Sequence, residues 1–139
     1  YFTDMAKRYG FGKKDKLKSR KQIEELFASG KSFSMPPLRV TFRFLPADHD
    51  PGLQAGVTAS KKYYKKAVDR NKIKRLIREA YRLQKEELAA HVIQNKLMGN
   101  VFFIYIANEI LSFEMIRQSM EHCLRRLMQK AIHKHENPA

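Results

Sequence analysis

Between Ser60 and Lys85 the chain reads SKKYYKKAVDRNKIKRLIREAYRLQK, and the order of its charges restricts the fold more than any other stretch. At ~100° per residue on a helix, Asn71, Lys74, Arg75, Arg78, Arg82 and Lys85 share one face, and Ile73, Leu76, Ile77, Ala80 and Leu83 share the opposite one. A helix of this kind must lay its apolar stripe on a sheet or on other helices. Its other face is different in kind. From Lys61 to Lys85, eleven Lys or Arg stand against two acids, Asp69 and Glu79, a local charge of +9. Solvated helices usually interleave signs, and an excess of this size repels itself unless a polyanion meets it. Two lysine pairs, Lys61–Lys62 and Lys65–Lys66, flank Tyr63 and Tyr64 just ahead of the helix. Charge density, facial segregation and interleaved aromatics together point to nucleic-acid binding rather than to an ordinary solvated face.

The whole chain leans the same way, with 28 Lys+Arg against 14 Asp+Glu, a formal charge of +14 in 139 residues. Hydrophobic residues make up 43%, enough for one domain with a modest core, so a disordered basic tail is not the whole story. The single Cys123 excludes an intramolecular disulfide and a multi-cysteine zinc site. It lies on the apolar side of a helical pattern and reads as a small buried hydrophobe. No apolar run approaches the ~20 residues of a membrane span, and the first residues show no secretory h-region, so the expected setting is cytoplasmic.

Residues 1–18 form a basic arm without periodicity, 19–132 a single domain, and 133–139 a tail without a packing pattern. Ser19-Arg20-Lys21-Gln22 has the form of a capping box opening a short helix, with Ile23, Leu26 and Phe27 on one side and Gly30 as its stop. Pro36-Pro37 breaks the chain before a segment of strict alternation. There Leu38, Val40, Phe42 and Phe44 point one way, and Arg39, Thr41 and Arg43 the other. The turn-rich loop from Pro46 to Gly52 suggests a hairpin to a second strand, Leu53 to Ser60. The basic helix then runs from about Ala67 to His91. Val101 to Ile106 (VFFIYI) reads as a strand buried on both faces. Ser112 caps a last helix whose core side is Phe113, Ile116, Met120, Cys123, Leu124, Leu127 and Ala131. The expected architecture is α+β, in the order α-β-β-α-β-α. Its parallel β-α-β crossover would by default be right-handed.

Catalytic equipment is sparse. The fourteen acids are scattered, with no close pair beside a histidine, and no Walker, Rossmann or nucleophile-elbow motif occurs. His133-Lys134-His135 lies in the tail and makes a poor metal cage. A protein-only nuclease would need acids converging on a metal. A non-catalytic RNA-binding module, such as a ribosome-associated protein, would not.

Ser60-Lys61-Lys62 followed by Ala67-Val68-Asp69-Arg70-Asn71-Lys72-Ile73-Lys74-Arg75-Leu76-Ile77-Arg78-Glu79 closely resembles the bacterial ribonuclease P protein component. The resemblance extends in order from about Leu17 to Ile132. Two departures stand out. Lys72 replaces the second Arg of the family's R-N-R, keeping the charge but not the bidentate fork, and Thr41 and Ile23 stand where some relatives place aromatics.

The resemblance implies an α/β sandwich with a left-handed crossover, contrary to the default. It also implies a subunit of an endonuclease whose catalyst is RNA, which removes the 5′ leader from precursor tRNA with Mg²⁺ bound mainly by the RNA. The implied partners are the catalytic RNA and precursor tRNA, not DNA and not a membrane. The catalytic RNA would meet Arg70, Asn71, Lys72, Lys74, Arg75, Arg78 and Arg82. The single-stranded leader would lie on the sheet face showing Arg39, Thr41 and Arg43, bordered by Ile23, Phe27, Lys61 and Lys62. No catalytic or metal-ligating residue is implied in the chain itself. Phe27 has two open readings: a base-stacking ring, or a core residue that fixes the first helix.

Overall fold

The computed structural model describes residues 15–47 and 49–136. In chain order they form α1 (Arg20–Ser29), β1 (Lys31–Met35), β2 (Leu38–Pro46), β3 (Gly52–Ala59), α2 (Ala67–Gln84), α3 (Glu86–Gln94), β4 (Leu97–Tyr105) and α4 (Phe113–Glu136). The order is α-β-β-β-α-α-β-α, so the α+β class stands and the element count does not. The short strand β1 was not expected. It joins β2 through a tight turn at a cis Pro36–Pro37 bond.

The strands lie in the order β1-β2-β4-β3. β2 and β3 therefore do not form the expected hairpin. β4 sits between them, antiparallel to β2 and parallel to β3. The most apolar segment takes the centre of the sheet, where both of its edges are paired. The loop after β2 crosses the start of β4, and the Ala47 amide donates to the Lys96 carbonyl at 2.9 Å. Stepping over one strand means covering two inter-strand spacings, about 10 Å, which five residues span easily.

Alternation divides the sheet into two faces. Leu38, Val40, Phe42 and Phe44 of β2 share one with Val101, Phe103 and Tyr105 of β4 and with Leu53, Ala55 and Ala59 of β3, all buried. Helices α2, α3 and α4 cover this face, and Tyr81 of α2 packs its ring 5.5 Å from that of Phe103. Each large side chain buried here contributes about 1.5–3 kcal/mol. The other face carries Arg39, Thr41 and Arg43, Phe102 and Ile104, and Gly56 and Thr58, with α1 lying across part of it. β4 is thus not buried equally on both sides: Phe102 and Ile104 are only half-buried.

The basic helix is not one rod. It breaks at Lys85, and α3 starts with Glu86 and Glu87 in its first turn, where acids suit a helix N-terminus. Lys85, expected on the outer face, is buried with its Nζ 3.7 Å from Asp15. Leu83, expected in the core, is exposed, and Tyr81 takes the buried position instead. The bend turns Leu88 and Val92 of α3 into the core. In α1, Ser19 caps as expected, its Oγ accepting from the Gln22 amide at 3.3 Å. The helix ends as the backbone turns extended at Gly30, not in a left-handed turn, and glycine is needed there because a Cβ would stand 2.5 Å from the Leu26 carbonyl oxygen. Ser112 caps α4 and accepts from the Met115 amide at 3.3 Å; of the core side expected for this helix, only Phe113 is less than buried. The backbone of 133–136 continues α4 rather than forming a tail. Residues 1–14 of the basic arm lie outside the described residues, whereas Leu17 is buried and its amide donates to the Ala55 carbonyl at 3.0 Å.

Candidate nucleic-acid interface

The outer face of α2 holds two kinds of cation. Asn71, Lys72, Arg75 and Arg78 are exposed, and Lys72, Arg75 and Arg78 form no ion pair among the described residues. Lys74 is half-buried and likewise without an ion pair. Arg82 is engaged: its Nη2 lies 2.5 Å from Oε1 of Glu79, one helical turn earlier. That hydrogen bond holds the Glu79 carboxyl below the usual carboxylate range and raises Arg82 above the usual value for a guanidinium. Arg70 is engaged as well, its Nη1 donating to the carbonyls of Tyr64 at 2.7 Å and Lys65 at 2.8 Å. It folds back onto the segment before the helix.

The sheet face gathers the other group unevenly. Phe27 of α1 is 48% exposed and meets Phe102 edge-on, with ring centroids 5.4 Å apart. It is neither a core residue nor an isolated ring. Arg39 is exposed, in register with Ile104 and, across β4, with Thr58. Thr41 does not show on this face: it is 3% exposed, and its hydroxyl lies 3.0 Å from that of Ser32 on β1. Arg43 is tied down under α1, donating from Nη1 to Ser29 Oγ at 2.9 Å with Glu25 3.8 Å away. Both corrections share a cause: α1 and β1 cover the part of the face where Thr41 and Arg43 sit. Lys61 and Lys62 are exposed just beyond the end of β3, where Arg39, Ile104 and Thr58 lie in register.

Three features escaped the sequence reading. The apolar run predicts Phe102 buried on both sides, yet it supplies the floor beneath Phe27. Gly56 lies opposite it in register, and a Cβ there would stand 2.6 Å from the Phe102 ring. The third is a cavity of about 270 Å³ lined by Lys16, Lys18, Ile23, Gly56, Phe102 and Arg78, among others. Arg78 reaches this cavity from α2, so the helix face and the sheet face adjoin there. Read with period two, VFFIYI places Phe102, Ile104 and Ile106 on the face opposite Val101, Phe103 and Tyr105, which is the signal that finds Phe102.

The family model described as Ribonuclease P matches residues 11–128. A ribonuclease P protein component of Porphyromonas gingivalis is 33% identical over 120 residues, covering 86% of this chain and 87% of that protein. One of Chlorobium phaeobacteroides is 31% identical over 121 residues, covering 80% of this chain and 83% of that protein. Among solved structures, the ribonuclease P protein of Staphylococcus aureus superposes with a TM-score of 0.63 at 24% identity, over 81% of this chain and 94% of that one. That of Thermotoga maritima gives 0.62 at 24% identity, over 80% and 96%. The structural likeness establishes the shared fold, and the sequence matches establish the family. This chain therefore belongs to the ribonuclease P protein family, as the protein component of the holoenzyme that processes the 5′ ends of precursor tRNA in association with the ribonuclease P RNA.

Proposed function

We propose that the two surfaces divide the work. Asn71, Lys72, Lys74, Arg75 and Arg78 grip the phosphates of the catalytic RNA, with Arg70 and Arg82 contributing through the structure they hold. The sheet face beside α1 holds the single-stranded leader, with Arg39, Lys61 and Lys62 on its phosphates and Phe27, backed by Phe102 and bordered by Ile23, against a base. Thr41 and Arg43 support this face from beneath α1. The observation that carries this reading is the half-exposed Phe27–Phe102 pair on one sheet face with an exposed Arg39. An extended strand with free bases suits a groove that offers cations and a ring, at ~1–3 kcal/mol for each stacked base.

Magnesium sits mainly on the RNA in this reading. Among the described residues, no three His, Cys, Asp or Glu side chains come together to cage it. The protein's part is to bring positive charge near phosphates that would otherwise repel one another around the metal sites, which lowers the Mg²⁺ the RNA requires. The setting is cytoplasmic, and the β3-α2-α3-β4 crossover is left-handed.

The test is holoenzyme affinity for precursor and mature tRNA at fixed salt, with Phe27→Ala combined with Arg39→Ala. Precursor affinity should fall by about five- to 150-fold, while mature tRNA and binding to the catalytic RNA stay near wild type. Equal loss for both tRNAs would place the leader elsewhere.

A further inference from the structure

We propose that Tyr63 is a stacking platform for an unpaired RNA nucleobase, held ready by a locked turn between β3 and α2. The proposal rests on the RNA-binding reading above and adds a ligand-binding side chain to it.

The turn carries two adjacent tyrosines with opposite fates. Tyr64 is buried; its hydroxyl donates to the Ala107 carbonyl at 2.6 Å, and its ring lies 6.0 Å from that of Tyr105. Burial pushes its phenol above the ordinary tyrosine range, as a neutral anchor requires. Tyr63 is 52% exposed and has no ring partner among the described residues. Half-exposed rings are common on surfaces, so what singles out Tyr63 is the fixed backbone and the charge around it.

Four further hydrogen bonds fix the backbone around it. The Lys62 amide donates to Ser60 Oγ at 3.1 Å and the Tyr64 amide to the Ser60 carbonyl at 3.0 Å. The Arg70 guanidinium then closes the turn on the carbonyls of Tyr64 and Lys65. With the neighbours pinned on both sides, Tyr63 has little freedom beyond its own two χ angles, so a base that lands on it meets a small ordering cost.

Charge selects the ligand. Lys61, Lys62, Lys65 and Lys66 surround the ring in sequence and are all exposed, and Lys62 Nζ stands 5.9 Å from its centroid. One π-face thus has a cation over it. A nucleotide would place its base on the other face and its phosphates among the lysines. An apolar peptide would find the ring but also four ammonium groups to desolvate, which disfavours a protein partner.

Because the chain contains no tryptophan, Tyr63→Trp introduces a single indole reporter at this position. Its emission would be followed in three titrations: catalytic RNA alone, then holoenzyme with precursor tRNA, then holoenzyme with mature tRNA. Stacking quenches the indole. Quenching by catalytic RNA alone assigns the base to that RNA, and quenching by precursor but not mature tRNA assigns it to the leader. In parallel, Tyr63→Phe should bind like wild type. Tyr63→Leu should lose about five- to 150-fold in the affinity of the arm that quenches, with its salt dependence unchanged. Unquenched emission in every arm, or a Leu variant equal to wild type, overturns the platform. Arg75→Ala combined with Arg78→Ala is measured beside them. If that pair keeps wild-type affinity while Tyr63→Leu loses it, the helix-face reading fails and the platform stands. The reverse result removes the platform alone.

Discussion

Arg70 and Arg75 lie five residues apart on α2, both positively charged, and the structure gives them different tasks. Arg75 is exposed and forms no ion pair among the described residues; Arg70 spends its Nη1 on two backbone carbonyls of the preceding turn. Hydrogen bonds from a charged donor are worth about 1.5–3 kcal/mol each when well shielded. One of this pair is exposed and the other only part-buried, so Arg70→Ala should cost about 1–2 kcal/mol for the two together. For a chain of this size that is a fall in Tm of roughly 3–7 °C. Arg75→Ala should leave Tm unchanged within about 2 °C, as surface substitutions do. The RNA titrations should sort them in the opposite sense. Losing Arg75 removes one phosphate contact, so the slope of log K against log salt should shrink by about 0.7–0.9. Losing Arg70 should reduce affinity by releasing Lys61, Lys62, Lys65 and Lys66 from a fixed arrangement, with a smaller change in slope because those four charges remain. The assay is thermal unfolding by circular dichroism beside binding to the catalytic RNA at four or more salt concentrations. A wild-type Tm for Arg70→Ala with a slope loss equal to that of Arg75→Ala would show a plain phosphate ligand and refute the clamp.

Gly30→Ala would set a Cβ 2.5 Å from the Leu26 carbonyl oxygen and 2.9 Å from that of Phe42, both backbone atoms with no freedom to yield. It should cost about 1–3 kcal/mol in urea unfolding, and a wild-type midpoint would show that α1 can lift away. Cys123 lies in the core, and burial pushes its thiol up to about 12, because the charged thiolate is the form that burial disfavours. At pH 8 only about one thiol in 10⁴ is then ionised, so iodoacetamide should label the native protein far more slowly than the protein in urea. Equal rates would show that the core opens at this point.

Patterns that depend on near neighbours were legible in the sequence. The alternation from Leu38 to Phe44 put four apolar side chains on one face of β2, and all four are buried. The cap at Ser19, the cap at Ser112 and most of the core side of α4 follow from spacing alone. What failed was non-local. The loop from Pro46 to Gly52 has the chemistry of a hairpin turn, yet nothing within it says that β4 will intervene. Lys85 continues the basic face by angle, and only its meeting with Asp15, seventy residues earlier in the chain, draws it inside. Thr41 alternates outward as expected but is then covered beside β1, whose five residues hold only Phe33 and Met35 as apolar members and leave little trace in the pattern.

The same limit applies to the cations, and it changes what a basic stretch means. Counting from Lys61 to Lys85 gives eleven equivalent charges. In the fold, Arg82 is satisfied by Glu79, Lys85 by Asp15, and Arg70 by two carbonyls, so these three stabilise the helix, its end and its approach. Those left exposed, Lys72, Arg75 and Arg78 on the helix and the four lysines of the turn, sit where no acid answers them among the described residues. Their mutual repulsion opposes folding, and the core beneath α2, built from Ile73, Ile77, Ala80 and Tyr81, offsets it. A polyanion that binds this surface removes the repulsion while binding only the folded arrangement with full complementarity. RNA binding must therefore raise the stability of the protein as well as occupy it. The sites that contribute most to that linkage are the free cations, not the ones the fold has already used.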